Sequence, residues 1–207
     1  MRMHMYRASA NITTLLMGLV VVLTAGCAQV AHKVDVLYSP LATYRGGTGS
    51  LELVVDDKMR ESDSGPSIRW VLGQIKNTEG VATGEIISTI RPQDVFADAF
   101  KRELTAAGYR IGFSKALDKF TGKGVVLTDI SVQLEEMPSL ARLESSCTIL
   151  LKMDLWKSGT VVKRTEYRSK VSDISVVNRD QLPPSLYQKA IENIMQQAVP
   201  DIIRQLN

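Results

Sequence analysis

Leu143-Glu144-Ser145-Ser146-Cys147-Thr148-Ile149-Leu150-Leu151-Lys152-Met153-Asp154-Leu155 is the stretch that decides the fold. Leu143, Cys147, Ile149, Leu151, Met153 and Leu155 all stand at odd positions, while Glu144, Thr148, Lys152 and Asp154 fall between them. Successive side chains of a strand point to opposite faces, so this alternation predicts a long antiparallel strand over 141–156 with one wet face. Cys147 lies on the apolar side and reads as a small buried hydrophobe, not a nucleophile. Downstream, Ser158-Gly159 turns the chain into a second strand over 160–174, with Val161, Tyr167 and Val171 on one face. Upstream, a third strand starts near Gly124 and sets Val126, Ile130, Val132 and Leu134 on one face.

Helical periodicity flanks this meander on both sides. After Pro183-Pro184, Leu186, Tyr187, Ala190, Ile191, Ile194, Met195 and Ala198 form one apolar stripe. Pro200 lacks an N–H and is expected to kink that helix or begin a new turn. Nearer the N-terminus, Pro92 suits the first helical position, and Val95, Phe96, Ala99, Phe100, Leu104 and Ala107 repeat at three- and four-residue spacing. Gly108 stops that helix, and Phe96 and Phe100 read as core packing. Before it, the β-prone runs 68–76 and 81–90 flank the turn Asn77-Thr78-Glu79-Gly80, a hairpin signature. Val34, Val36 and Tyr38 alternate with Asp35 and Leu37 and predict an early strand ended by Pro40. A second early strand covers 51–56, a polar loop 57–66, and a short strand 109–113. The Gly-rich stretch 45–50 lacks the Gly-Lys-Ser/Thr ending of a phosphate loop and precedes a strand. Together these elements predict an α+β fold: a two-layer sandwich whose mixed, mainly antiparallel sheet carries both helices, near 92–107 and 184–206, on one face.

The N-terminus follows a different logic. Arg2 and Arg7 precede an apolar run from Ile12 to Ala25, 14 positions interrupted by three threonines. About 20 apolar residues are needed to span a bilayer, so the run is too short for an anchor helix and fits a cleaved secretory signal. It closes on Leu23-Thr24-Ala25-Gly26-Cys27, which resembles the lipobox of bacterial lipoproteins. That resemblance implies cleavage between Gly26 and Cys27, diacylglycerol on the Cys27 sulfur and acylation of its new amino group. Two or more acyl chains hold a protein stably at a membrane. The expected organisation is a lipoprotein signal peptide over 1–26, a lipidated tether over 27–33 and a single periplasmic domain over 34–207.

Charge and composition then exclude several classes. Without Arg2 and Arg7 the 25 basic residues fall to 23, against 22 acidic ones, so no basic face for nucleic acid is implied. The remaining 181 residues suffice for one domain with a sizeable core. Once Cys27 is lipidated, Cys147 has no partner for a disulfide. His4 leaves with the signal, so His32, in the tether, is the one imidazole that stays. Zinc sites of the Cys/His kind and Ser-His-Asp or Cys-His catalysis need more than that. No cofactor and no metal site is expected.

The whole order resembles the YajG-type family of bacterial lipoproteins. The residues that carry the likeness are the lipobox, the helix end Leu104-Thr105-Ala106-Ala107-Gly108-Tyr109, the strand from Val125 to Val132, Tyr167-Arg168-Ser169, and the terminal helix. The resemblance implies an outer-membrane lipoprotein with an α/β domain, and it supplies no catalytic residue. Ala28 is not the aspartate that retains lipoproteins at the inner membrane, so the inner leaflet of the outer membrane is expected. The functional expectation is a non-catalytic, lipid-tethered domain that binds an envelope protein or peptidoglycan, in cell-wall synthesis or envelope transport. The alternative is a carboxylate-based envelope hydrolase. Against it, Asp56-Asp57 and Glu135-Glu136 are adjacent pairs, whose side chains on strands point to opposite faces.

Overall fold

A computed structural model of the chain describes residues 30–55, 69–117 and 122–207. Apart from Val30, these belong to one compact unit, 31–207. Gly26, Cys27, Asp56 and the whole polar loop 57–66, with Asp57, lie outside the described residues.

The stretch that opened the reading is strand β7, Leu143–Lys157. Antiparallel strands β6 (Lys123–Pro138) and β8 (Thr160–Ser175) flank it along its full length. Its odd residues from Leu143 to Leu155 are buried, as the alternation predicts. Two bulges correct the phase of its neighbours. Between Leu127 and Asp129 the register of β6 slips, so Val125 and Leu127 share the core face with Ile130, Val132 and Leu134, and Val126 does not. On β8 the consecutive residues Trp156 and Leu155 of β7 face Val161 and Lys163, which leaves Val162 as the extra residue. Val161 therefore sits on the face opposite Tyr167. An extra residue flips every side chain beyond it, and alternation alone does not announce it.

The other edge of β6 is shared by two strands. β2 (Ser50–Val55) runs parallel beside Lys123 to Leu127, and β3 (Trp70–Lys76) runs parallel beside Leu134 to Glu136. Gly73 permits the second approach, because a Cβ there would meet the Leu134 carbonyl oxygen at 1.8 Å. β5 (Arg110–Phe113) extends the sheet parallel to β2; β4 (Ala82–Ser88) pairs antiparallel with β3, and β1 (Val30–Lys33) lies beside β4. Among the described residues the fold is thus α+β, with an eight-stranded mixed sheet and two α-helices. The expected mainly antiparallel two-layer sandwich is corrected to this extent: parallel pairs join β6 to β2, β6 to β3 and β2 to β5. Parallel partners meet through long crossovers and leave no turn signature between them.

Helix α1 (Pro92–Ala107) starts on its proline and ends at Gly108, whose φ of 116° is left-handed. There the Tyr109 N–H returns to the Leu104 carbonyl, the usual glycine closure. Helix α2 (Leu182–Leu206) follows a short 3₁₀ turn at Arg179–Gln181. It lies on β7 and β8, while α1 lies on β2 and β5 and touches α2. Phe96, Phe100, Ile149 and Ile191 are all fully buried in the resulting core. α2 runs on through Pro200, so no new element begins there. The carbonyl that its missing N–H leaves free, that of Gln196, accepts a hydrogen bond from the Tyr44 hydroxyl at 3.4 Å.

Two N-terminal expectations change. Val30–Lys33, expected within the tether, form strand β1. Val34, Val36 and Tyr38 are buried and Leu37 is exposed, but the segment is a strap with no ladder of its own beyond the Val34 N–H to the Ile87 carbonyl. The alternation is real because one side of the strap faces the core. Asp35 pins it: its carboxylate accepts from Ser88 Oγ, Thr89 N and Thr89 Oγ1 at 2.7–2.9 Å and pairs with Lys33.

Candidate functional site

The residues singled out in the sequence do not assemble into one site. His32 stands on β1 with Nδ1 2.9 and 3.0 Å from the two carboxylate oxygens of Glu136, which is buried. Its neighbour Glu135 instead pairs with Lys76 at 2.6 Å and accepts from Gln133 Nε2. The adjacent carboxylates have separate partners, in keeping with opposite faces of β6. Cys147 is fully buried, and burial pushes its thiol up to about 12. Asp56 and Asp57, the other acidic pair, lie outside the described residues, as do Gly26 and Cys27.

A cleft of about 450 Å³ opens where β6, β7 and β8 end together. Register builds it. Glu135, Ser146 and Ser172 form one cross-strand row, and Met137, Glu144 and Ile174 form the next. Residues paired across strands project to the same side, so both rows face away from the helices. Lys76 of β3 closes one end through its bond to Glu135. The row between these two, Glu136, Ser145 and Asp173, belongs by register to the opposite face and also borders the cleft. Four of these ten residues are acidic and one is basic, and just outside the cleft Arg142 holds Glu144 at 2.6 Å. The Asp173 carboxylate accepts from the Ile174 N–H at 2.8 Å.

Apolar surface gathers at the same end. Met137, Leu140, Ile174, Val176 and Val177 are between 38% and 104% exposed. The Arg179 guanidinium binds the carbonyls of Ser139 and Leu140, each at 3.0 Å, and so ties the chain after β8 to the β6–β7 turn. Sequence reading singled out Glu135 and Glu136 but not the cleft they line, yet a signal for it was there. Along β8 the outward phase runs Arg164, Glu166, Arg168, Lys170, Ser172 and then Ile174, an apolar residue on a polar beat. Met137 breaks the outward phase of β6 in the same way.

Polar groups elsewhere are structural. Glu103 of α1 is fully buried, and its Oε1 accepts from the Tyr38 hydroxyl at 2.7 Å and the Leu41 N–H at 2.5 Å. Burial and this carboxylate beside it hold the Tyr38 hydroxyl well above its ordinary pKa. Among the described residues, no group of three or more His, Cys, Asp or Glu side chains is placed to hold a metal ion. Among the same residues, no helix is long and apolar enough to cross a membrane.

No protein-family model matches the chain. No curated protein matches it either. Among solved structures it is similar to a protein of family DUF330 from Xanthomonas campestris, at 14% identity over 86% of this chain and 94% of that one, with a TM-score of 0.48. It is also similar to a minor lipoprotein from Acinetobacter baumannii, at 12% identity over 74% of this chain and 92% of that one, TM-score 0.43. A third is the rare lipoprotein B from Shewanella oneidensis, at 9% identity over 64% of this chain and 96% of that one, TM-score 0.36. No residue role is transferred from any of the three.

Proposed function

We propose that the chain is a lipid-anchored envelope protein of the YajG type, held at the outer membrane through Cys27, whose folded domain binds a partner and catalyses nothing. One observation carries the anchor: an apolar run of 14 positions that ends on Leu23-Thr24-Ala25-Gly26-Cys27 behind two arginines. The binding role is supported by the cleft at the ends of β6, β7 and β8, where exposed apolar side chains stand beside carboxylates and hydroxyls. Pockets that mix an apolar lining with a few polar groups are typical binding sites. The histidine that stays after processing, His32, is engaged by Glu136. Accessory work in cell-wall synthesis or envelope transport is the sharper form of this reading.

Membrane fractionation with mass determination of the mature N-terminus tests it. The expected species begins at a triacylated Cys27 and sediments with the outer membrane. Cys27→Ser should leave an unprocessed precursor, and Ala28→Asp should move the protein toward the inner membrane. A soluble periplasmic product, or a first residue other than acylated Cys27, ends this reading. A partner role fails separately if a cell-wall digestion assay with the purified protein shows turnover that Glu135→Ala and Glu136→Ala abolish.

A further inference from the structure

We propose that the free edge of β8 over residues 171–175 is a docking rail on which an extended, basic segment of an envelope protein adds as a strand, its cationic side chain entering the adjoining cleft. The proposal deepens the binding reading above and rests on it. β8 is paired only with β7, so its far edge is unpartnered among the described residues. Natural sheets guard such edges with charge, lysine above all. Here Lys163, Arg164, Arg168 and Lys170 guard the first part of β8, and the guard then stops. Val171-Ser172-Asp173-Ile174-Ser175-Val176-Val177 follows, a β-prone run with a single charge and no proline.

Within that run the Ile174 N–H is engaged by the Asp173 carboxylate of its own strand. Alternate side chains of an added strand would fall on the cleft face, which is how strand addition gains specificity. Met137 and Ile174 offer it apolar contact, and Ser146 and Ser172 offer hydroxyls. Charge selects the occupant. Glu135, Glu136, Glu144 and Asp173 line the cleft against Lys76 alone, and Lys76, Arg142 and His32 already hold three of those carboxylates. Asp173 has no cation of its own among the described contacts. A basic side chain would complete it, whereas an anionic lipid surface would be repelled. A second copy paired through the same run would bring Asp173 toward its own counterpart, and opposed like charges weaken strand pairs.

The test uses the purified full-length protein in neutral detergent and a short synthetic peptide of alternating valine and lysine. Its counterpart alternates valine and glutamate. Binding is read by fluorescence titration, and the binding place by hydrogen exchange at the amides of Ser172, Ile174 and Val176. The valine–lysine peptide should bind at least about tenfold tighter than the valine–glutamate one, by charge complementarity, and should protect those amides. Ile174→Pro, which removes an N–H from the proposed rail, should abolish the protection. Ile174→Lys should do so as well while the thermal midpoint stays close to wild type, and the pair Glu144→Gln and Asp173→Asn should erase the preference for lysine. Equal binding of both peptides, or protection elsewhere in the chain, overturns the proposal. So does protection by phosphatidylglycerol vesicles alone, or a dimer that Ile174→Lys dissolves. An acylated Cys27 found together with any of these sinks the docking rail and leaves the anchor standing.

Discussion

Asp201 lies five residues from the end of α2, buried, with Lys163 Nζ and Tyr167 Oη each 2.6 Å from Oδ2 and Arg204 on Oδ1. Burial alone would raise its pKa, but the Lys163, Tyr167 and Arg204 donors outweigh burial and hold the carboxyl below its ordinary value. Asp35 behaves likewise: burial opposes the charge, and Thr89, Lys33 and Ser88 overcome it. A folded pKa below the unfolded one, about 3.9 for aspartate, gives stability that is complete above that value and is lost as pH falls through the folded pKa. The urea midpoint should therefore be level from neutral pH down to about 5 and fall steeply below about 4. Asp201→Asn should lower the neutral midpoint and flatten the acid limb; an unchanged acid limb would refute the assignment. Phe100 is fully buried, so Phe100→Ala should cost about 3–5 kcal/mol. A loss below about 1 kcal/mol would mean the site is not core. The Cys147 thiol, raised to about 12, should resist iodoacetamide in the native protein and react once the chain is unfolded in urea.

At the scale of elements, α2 offers a two-residue experiment. Tyr44 supplies the Gln196 carbonyl with the donor that Pro200 lacks. Tyr44→Phe should cost about 0.5–1 kcal/mol in the native sequence, since a net hydrogen bond is of that size. With Pro200→Ala in place, the new N–H reaches Gln196 and the same change should cost close to nothing. A double-mutant cycle with no coupling would disprove the link. The hairpin, α1 and β7 were legible because each carries its own local grammar: a turn, a proline–glycine frame, an unbroken beat of two. The continuous course of α2 through Pro200 was not, because its remedy sits at Tyr44, 156 positions upstream. The phase of Val126 and Val161 was lost to bulges, which leave no residue type behind. β1 escaped notice because Val30-Ala31-His32-Lys33 is too short to show a period, and only its place beside β4 makes it a strand.

At the scale of the molecule, class and core were readable, and sheet order was not. Antiparallel neighbours announce themselves through turns, as β6, β7 and β8 do. The parallel pairs of β6 with β2 and β3 arise from packing between segments far apart in sequence, and Gly73 was the one residue hinting at such an approach. The cleft follows from sheet order, so it could not be read before the order was known; its trace was two apolar residues on polar beats. Gly73→Val should dislodge β3 from β6, because its Cβ would collide with backbone and not with a side chain able to swing away. Strand pairs β3–β4 and β3–β6 should then exchange amide protons far faster, while β7–β8 stays protected. Uniform loss of protection would indicate global unfolding and refute a local role.

Cys27 stands three residues ahead of Val30, so tension applied through that end arrives first at a four-residue edge strand, β1. Among the described contacts it is held by β4, by the His32–Glu136 pair and by Lys33 on Asp35. Pulled across its ladder, this strand would come away one rung at a time, before the long strands behind it took up load. Peeling Val30–Lys33 would lengthen the reach of the chain by about 14 Å, at roughly 3.4 Å per extended residue. β1 is thus a mechanical fuse: it would yield to a modest pull, give slack, and spare the core.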